Sequence, residues 1–481
     1  MIGLGLALSV ASSVAQWSPI APGLDYGEFS LPGPVRVFAV RADRSTNTWI
    51  IDTMKGQGKM KGGHETVPNM AARYDDSITF DGHRYAVKVA INGDYYTGST
   101  GVPLQGQIMA GWFIKRFEDD GGISGFVWPS DRRPFFGGSV QNGPALQHVV
   151  FADQARMQIS QLNTPRGQDA LALYTWQYAA DTGTKPDGTE VLVRMTAPLS
   201  LSSAARGEIV KVRPNAGTSP LPFNHVVLSA HGKAAAELLR HARPGEAVSF
   251  QLELKDQGSP HIGLAPHNWR GAYASLGAPK NILVNGTFPR DWEAKAKKYA
   301  EQGKKHGSVV QDPRTAIALN DRYVFFLVID GRSKESIGMT FTEAGVFCRD
   351  ELKATDAALQ DGGGSSTLWV EGKVKNTPSG KGKDEKYGVL RAVSNGYFIA
   401  EVLPPKKSAE FQAGQKVRLK GELRLGPGST FGPAGKVNDT ETGVVLPETL
   451  NGILAKGAYW WLCRFGDAEG WASLDQLSAV R

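Results

Sequence analysis

The sequence predicts a large mixed α/β (α+β) domain followed by a small β-barrel. The run Tyr323–Ile329 is apolar and rich in β-branched and aromatic residues, which is typical of a buried strand. Thr340 and Glu343 have the spacing of a capping box and predict a helix from residue 342 to about residue 353. Beyond about residue 410, short alternating segments separated by glycine-rich turns predict the closely spaced strands of a barrel.

A glycine-rich turn is the first candidate site. The run from Asp361 to Thr367 holds three consecutive glycines and two serines between an apolar stretch, 357–359, and a strand-like segment, Leu368–Val370. Three glycines leave backbone N–H groups uncovered beside a carboxylate and two hydroxyls, and such a turn can receive an anion. A plain connecting loop is the alternative interpretation, because glycine and serine are also common in connectors.

The order strand, polar turn, helix, strand and glycine-rich turn predicts where the polar residues meet. With a right-handed crossover, Asp330, Arg332 and Asp361 would lie at equivalent ends of neighbouring parallel strands. Ligands of open α/β sheets bind at that edge. We therefore expect a site there.

Composition sets the outer bounds. The chain has 481 residues, 41% of them hydrophobic and 21% charged, which is typical of a globular protein of two or three domains. Its net charge of +7 favours anionic surroundings such as phosphate-bearing glycans. Since no dense block of Lys and Arg occurs, nucleic acid is not an expected partner.

The N-terminus favours export. The segment 2–15 is apolar and ends in small residues, so residues 1–16 are interpreted as the remnant of a signal peptide. No other stretch is long and apolar enough to span a bilayer. The two cysteines, Cys348 and Cys463, lie far apart, and no Cys/His spacing typical of zinc is present. We expect an extracellular or cell-envelope protein without a metal or other cofactor.

Several motifs resemble those of the phosphodiester glycosidase family. The motifs are Ala90–Tyr96, Pro313–Ala316, Asp330–Arg332, Ser336–Thr340, Asp361–Thr367 and Gly372–Asn376. The resemblance runs through most of residues 17–402. It implies a hydrolase that removes a sugar, such as N-acetylglucosamine, from a sugar 1-phosphodiester.

The C-terminal region is predicted to be a separate domain. A proline-rich linker, 403–409, precedes it, and residues 410–481 contain the short strands. The segments Leu423–Ser429 and Gly470–Ser473 resemble the bacterial SH3-like domain, which implies attachment to cell wall or glycan. Its aromatic residues could form a binding face or fill the core; they are Tyr459, Trp460, Trp461 and Trp471.

Three arginines are the candidates for binding the phosphate of such a substrate. A guanidinium binds phosphate through two parallel hydrogen bonds and stays charged, and Arg332, Arg314 and Arg391 lie in or near the matched motifs. The phosphate leaving group is already a stable anion, so cleavage needs less help from a general acid. Each arginine alone could equally be a surface or ion-pair residue.

Asp361 is the first candidate for the carboxylate that attacks the anomeric carbon or activates water, with Asp94 and Glu65 as candidate partners. The alternative role for Asp361 is a cap of its own turn. The remaining candidates would contact phosphate or sugar hydroxyls; they are Asn92, Gly363, Gly364, Ser365, Ser366 and Asn376.

Two other functions stay open at this point. One is a glycoside hydrolase acting on a wall polymer or exopolysaccharide. The other is a non-catalytic wall protein that binds glycan through its C-terminal domain. The combined charge set of Asp361, Arg332 and Arg314 favours catalysis.

Overall fold

A computed structural model describes residues 16–117, 124–202, 205–257, 267–277, 280–289, 291–303, 307, 309–382, 387–438 and 440–480. The predicted signal peptide lies outside these ranges, apart from residue 16. The fold is mostly β, with 45% of residues in strands and 11% in helices. The prediction of a mixed α/β fold is therefore wrong. The capping box at Thr340 does begin a helix, but the elements around it in the chain are mostly short strands.

The helices are few and short. In the described ranges they are α1 (Val67–Tyr74), α2 (Gly232–His241), α3 (Asp291–Glu301) and α4 (Phe341–Asp350). None of these helices is both long enough and apolar enough to cross a membrane.

The chain divides into two compact units, each made of several segments. Unit 1 comprises the described residues of 1–48, 88–92 and 278–392. Unit 2 comprises those of 49–87, 93–277 and 393–481. Strands are numbered β1 to β37 along the chain.

Unit 1 is built on a seven-stranded sheet. Its strands, in spatial order, are β1 (Ser18–Ala21), β2 (Leu24–Leu31), β3 (Val35–Asp43), β23 (Tyr323–Ile329), β22 (Arg314–Leu319), β24 (Asp356–Leu359) and β21 (Lys280–Leu283). The shorter strands of this unit are β25 (Leu368–Val370), β26 (Lys373–Val374), β27 (Gly380–Lys381) and β28 (Tyr387–Val389). Strand β25 pairs with the last residues of β5 (Arg84–Asn92).

The strand order corrects the predicted parallel pair. Strand β22 lies between β23 and β24 and runs antiparallel to both, with Arg314 opposite Ile329 and Ala316 opposite Leu359. Two strands that are each antiparallel to the same middle strand end at the same edge of the sheet. The carboxyl ends of β23 and β24 are therefore neighbours of the start of β22, without any parallel pairing.

Helix α4 confirms the predicted capping box. The Thr340 hydroxyl accepts from the Glu343 N–H at 3.2 Å, and the Glu343 carboxylate accepts from the Thr340 N–H at 2.7 Å. The apolar face of the helix, with Phe347 and Cys348, packs into a buried cluster with residues of the sheet such as Leu327 and Leu359. Burial of this face holds the helix against the sheet.

Unit 2 contains the larger sheets. An eight-stranded sheet consists of β12 (Arg156–Gln158), β11 (Gln147–Val150), β18 (Ala247–Leu252), β16 (Arg206–Ala216), β15 (Gly188–Met195), β17 (His225–His231), β14 (Leu171–Thr175) and β13 (Gln161–Leu162). A five-stranded sheet consists of β7 (Trp112–Lys115), β6 (Gln107–Met109), β20 (Ala272–Leu276), β8 (Phe126–Pro129) and β9 (Phe135–Phe136). Two further pairs are β4 (Trp49–Lys55) with β29 (Asn395–Leu403), and β10 (Val140–Gln141) with β19 (Lys255–Asp256).

The C-terminal strands belong to unit 2 and form an open sheet. They are β32 (Pro433–Lys436), β31 (Glu422–Arg424), β36 (Ala468–Ser473), β35 (Ala458–Phe465), β33 (Thr442–Val445), β30 (Lys416–Leu419) and β37 (Leu477–Ala479), with β34 (Ile453–Ala455) paired to β35. In the described part of the chain no barrel closes, so the predicted barrel is wrong. Trp460 and Trp471 pack against Phe223 and Ile78 of the same unit. These aromatic side chains are therefore buried against other strands of unit 2 and do not fill the core of a small barrel.

Candidate active site

The candidate site lies at one edge of the sheet of unit 1, where β22 begins and where β23 and β24 end. The glycine-rich turn, residues 361–367, leaves β24 at this edge and includes a short 3-10 turn, Gly363–Ser365. Asp330 and Arg332 follow β23, and Arg314 is the first residue of β22. The polar residues therefore meet because of the antiparallel order of the strands.

Asn92 fixes both ends of the glycine-rich turn. Its side-chain Nδ2 donates to the main-chain oxygen of Asp361 at 2.6 Å, and its Oδ1 accepts from the Thr367 N–H at 3.1 Å. The same Oδ1 accepts from the Thr315 hydroxyl at 2.7 Å. Asn92 is 0% exposed, so its position favours an anchoring role over contact with a sugar.

The three glycines are explained by close approaches. A Cβ at Gly362 would lie 2.8 Å from the main-chain oxygen of Pro313. Gly363 has a φ of +60°, and a Cβ there would lie 2.7 Å from Nη2 of Arg332. A Cβ at Gly364 would collide with the guanidinium of Arg391. The turn thus makes room for two guanidinium groups directly against its backbone.

Arg391 lies against the glycine-rich turn and is exposed to solvent. Its Nη1 donates to the Ser365 hydroxyl at 3.3 Å. Among the residues that the structure describes, no carboxylate forms a salt bridge with it. Its charge nevertheless acts on Asp361, whose pKa it lowers as a secondary influence.

Arg332 lies beside it but is paired. Its Nε and Nη2 donate to the two oxygens of Asp312 at 2.7 and 2.9 Å, and its guanidinium carbon lies 5.8 Å from the centre of the Tyr387 ring. The residue itself has a φ of +61°, a left-handed conformation that is costly for a long side chain. Asp312 was not singled out from the sequence, although it stands immediately before the Pro313–Ala316 motif.

Asp361 has the properties of a proton-transfer residue. Its carboxylate is partly buried, and burial raises its pKa from 3.8 to about 6. The Ser365 hydroxyl, which donates to Oδ2 at 2.5 Å, the charge of Arg391 and the Gly362 N–H all oppose this rise. The carboxyl group can therefore gain and lose a proton near neutral pH.

Arg314 is buried and bonded to the main chain. Its guanidinium donates to the oxygens of Met339 at 2.9 Å and Val310 at 2.7 Å, and it lies 4.7 Å above the Phe341 ring. It is 8% exposed. These contacts favour a role in holding the start of β22 over a role in binding phosphate.

Asn376 supports the turn from beneath. Its Oδ1 accepts from the Leu368 N–H at 2.8 Å, while its Nδ2 donates to the main-chain oxygen of Ser366 at 3.1 Å and to Asp330 at 3.3 Å. Burial raises the pKa of Asp330, which also accepts from the Thr377 N–H. The hydroxyl of Ser366 is buried and has no hydrogen-bond partner within the described ranges, so it is the one serine of the turn with an unused donor.

Unit 1 does not itself contain the two other predicted carboxylates. Asp94 and Glu65 both lie in unit 2. The Asp94 carboxylate accepts from the N–H groups of Tyr95 at 2.7 Å and Gln105 at 2.8 Å. Glu65 forms a two-fold salt bridge with Arg73 at 2.8 and 2.9 Å. Within their unit, both carboxylates are held by local donors.

Comparison with known proteins gives one family match. Residues 204–400 match the family model described as Phosphodiester glycosidase (NAGPA). No curated protein matches the chain in sequence.

Three solved structures are similar to this chain at low sequence identity, and only the first of them has a TM-score above 0.5. A hypothetical protein from Synechocystis is similar with a TM-score of 0.52 and 15% identity over 80% of this chain, which spans 64% of that protein. A protein from Burkholderia pseudomallei is similar with a TM-score of 0.46 and 19% identity, over 77% of this chain and 74% of its own. The catalytic domain of zebrafish N-acetylglucosamine-1-phosphodiester alpha-N-acetylglucosaminidase gives 0.38 and 13%, over 82% and 89%.

The family match covers the elements that build the candidate site from β22 to the glycine-rich turn. The likeness of residues 410–481 to an SH3-like domain stays a prediction. Residues 204–400 match the phosphodiester glycosidase model, and this match confirms over this range the resemblance seen in the sequence.

Proposed function

We propose that the protein is an exported hydrolase that cleaves the glycosidic bond of a sugar 1-phosphodiester, of the N-acetylglucosamine-1-phosphodiester type. One observation carries this proposal. A carboxyl group with a pKa of about 6, Asp361, is linked through Ser365 to a guanidinium without an ion pair, Arg391. The pair supplies a proton-transfer group and a phosphate-binding group at adjacent positions.

Arg391 is the first candidate for binding the phosphate. Its guanidinium lies against the backbone at Gly364 and needs no rearrangement of a salt bridge before it donates to a phosphate oxygen. Arg332 would be the second cation, since its guanidinium lies against the neighbouring Gly363. It would have to give up part of its salt bridge with Asp312 before it could bind phosphate. Two cations in this position stabilise the charge of the departing phosphate.

Asp361 would act at the anomeric carbon, either directly or through water. Ser365 donates to Oδ2 of the carboxylate and so orients it for the reaction. Because the phosphate leaves as a stable anion, the first step needs less help from a general acid, and the nearby cations would stabilise the charge that develops. The Ser366 hydroxyl, which has no partner in the described residues, would donate a hydrogen bond to a phosphate or sugar oxygen.

Export and wall attachment belong to the same proposal. The apolar segment 2–15 and the net charge of +7 support a location where anionic glycans are abundant. The SH3-like resemblance of residues 410–481 supports binding of wall glycan by that region.

The test uses two substrates with the same sugar. One is N-acetylglucosamine linked through phosphate to a methyl group, and the other is the 4-nitrophenyl glycoside, whose aglycone carries no phosphate. Arg391→Lys should reduce kcat/KM on the phosphodiester by about tenfold or more, because a point charge cannot replace the two parallel hydrogen bonds. The glycoside should be affected by about twofold at most, since it makes no such contact.

Arg314→Lys is the matched control. Arg314 holds main-chain oxygens, so any loss from this change should be equal on the two substrates. An equal loss on both substrates for Arg391→Lys would contradict the phosphate-binding role. Wild-type activity on the glycoside alone would contradict the proposed substrate class.

A further inference from the structure

A second polar pocket lies in unit 2. It has a volume of about 310 Å3 and opens beside β14 and the end of β17. Its wall includes Lys61, Arg166, Tyr174, Lys185, Asp187 and His231. A volume of this size is at the lower end of small-molecule sites. None of these residues belongs to the candidate active site.

The pocket carries an excess of positive charge. Arg166 is neutralised, since it forms a salt bridge with Asp187 and also donates to the Ser229 hydroxyl at 3.0 Å. Lys61 and Lys185 are exposed, and neither forms an ion pair with another residue that the structure describes. Two ammonium groups at the rim are therefore available to an anion.

The floor of the pocket offers two polar groups with hydrogen-bonding capacity that is not used. Tyr174 is 0% exposed, and its hydroxyl has no acceptor for its own proton in the described part of the chain. Nδ1 of His231 is likewise buried and unpartnered there. Leaving such groups unpaired costs free energy, which a ligand with oxygen atoms at this depth would recover.

The loop that carries Lys185 is held in place from below. The buried carboxylate of Glu190 accepts from the hydroxyls of Thr182 at 2.9 Å and Thr184 at 2.6 Å. Ser229 donates to the same carboxylate at 2.9 Å. The wall of the pocket is thus built in advance of binding, which reduces the cost of ordering it.

We propose that this pocket binds an anionic sugar, with a phosphate or carboxylate between Lys61 and Lys185 and ring hydroxyls against Tyr174 and His231. The charge excess selects for the anion, and the unpartnered donor and acceptor groups select for hydroxyls. Such a site would hold a glycan through residues that take no part in the proposed cleavage.

The test is a chemical footprint on the full chain. Exposed lysines are acetylated with and without ligand, and the modification of each lysine is measured by mass spectrometry. Glucose 6-phosphate and glucuronate are the probes, and glucose and inorganic phosphate are their controls. Lys233 is the internal reference, because it is exposed in the same unit but does not line the pocket.

Either anionic sugar should protect Lys61 and Lys185 at concentrations that leave Lys233 unprotected. Unchanged modification of both lysines with both probes would overturn the proposal. Equal protection by inorganic phosphate would also overturn it, since the pocket would then bind a simple anion. Equal protection by glucose would remove the requirement for charge and overturn it as well.

Variants give an independent measure of affinity for the probe. Tyr174→Phe keeps the ring and should weaken binding by about fivefold, the value of one neutral hydrogen bond. The double change Lys61→Ala and Lys185→Ala should weaken binding by about 100-fold, since it removes two charged donors, whereas Lys233→Ala should have no effect. Asp361→Asn should leave the footprint unchanged, so failure of this proposal and failure of the proposed catalytic function can be told apart.

Discussion

Asp361→Asn should abolish the proposed activity and yet stabilise the folded protein. The pKa of Asp361 rises from 3.8 to about 6 on folding because the carboxylate is buried. At pH 8 the group is charged in both states, and the folded state carries a penalty of up to about 3 kcal/mol for that charge. Asparagine has nearly the same volume and no charge, so it removes the penalty.

The gain should disappear on acidification. A folded pKa above the unfolded one means that the folded state binds a proton first, so the penalty falls as the pH drops below 6. It should be about 1.5 kcal/mol at pH 5 and close to zero below about pH 3, where both states are protonated. The difference between variant and wild type is measured by urea unfolding at pH 8, 5 and 3, provided that both proteins give the same m-value.

Ser365→Ala provides a control of opposite sign. Its hydroxyl lowers the pKa of Asp361, so its loss raises that pKa further and should destabilise the protein at pH 8 more than at pH 4. Two results would mean that Asp361 is not the buried carboxylate with a raised pKa on which the proposed function rests. One is a free energy of unfolding that Asp361→Asn lowers at pH 8, and the other is a gain that does not depend on pH. Activity should fall by orders of magnitude in Asp361→Asn.

Two further predictions concern the cations and glycines of the turn. Arg391→Gln removes a charge that lowers the pKa of Asp361. The acidic limb of the profile of kcat/KM against pH, expected near pH 6, should therefore move to higher pH. An unmoved limb would mean that the charge of Arg391 does not act on the group that titrates. Gly364→Ala should displace the Arg391 guanidinium and reduce activity, while Gly372→Ala, where the added Cβ meets nothing within 4 Å, reports the cost of the positive φ of +85° by itself. Equal activities of the two glycine variants, measured on protein of equal folded fraction, would contradict the seating of Arg391.

Local signals in the sequence were sufficient for the elements but not for their arrangement. The capping box at Thr340 and the apolar run Tyr323–Ile329 depend on neighbouring residues, and the structure confirms both. The pairing of β23 with β3 joins residues almost 300 positions apart, and no local pattern encodes it. The sequence does not show that β22 lies between β23 and β24, so it predicts that these two strands are parallel neighbours. In the structure each of them pairs antiparallel with β22.

The roles of the arginines show the same limit at the level of side chains. Sequence motifs treat Arg314, Arg332 and Arg391 alike, because each is a cation near a matched segment. The structure separates them by their acceptors, which are main-chain oxygens for Arg314, the Asp312 carboxylate for Arg332 and the Ser365 hydroxyl for Arg391. Of the two arginines that lie against the glycine-rich turn, Arg332 is paired with a carboxylate, whereas Arg391 forms no salt bridge within the described residues.

Asn92 offers a final test of whether a predicted sugar contact is in fact an anchor. Asn92→Ala leaves the Thr367 N–H, the Thr315 hydroxyl and the Asp361 oxygen without their shared partner in a buried place, which should cost about 4 kcal/mol of unfolding free energy.

Asn92→Asp keeps the accepting oxygen but loses the donor to the Asp361 oxygen and buries a charge, so it should also destabilise, and the loss should diminish as the pH is lowered. An anchoring residue predicts that stability and kcat fall together in both variants, because the turn that carries the carboxylate is released at both ends. A sugar ligand predicts instead a raised KM in a protein of normal stability. Unfolding curves and kinetics on the same preparations distinguish the two outcomes, and normal stability of Asn92→Ala would return Asn92 to the substrate.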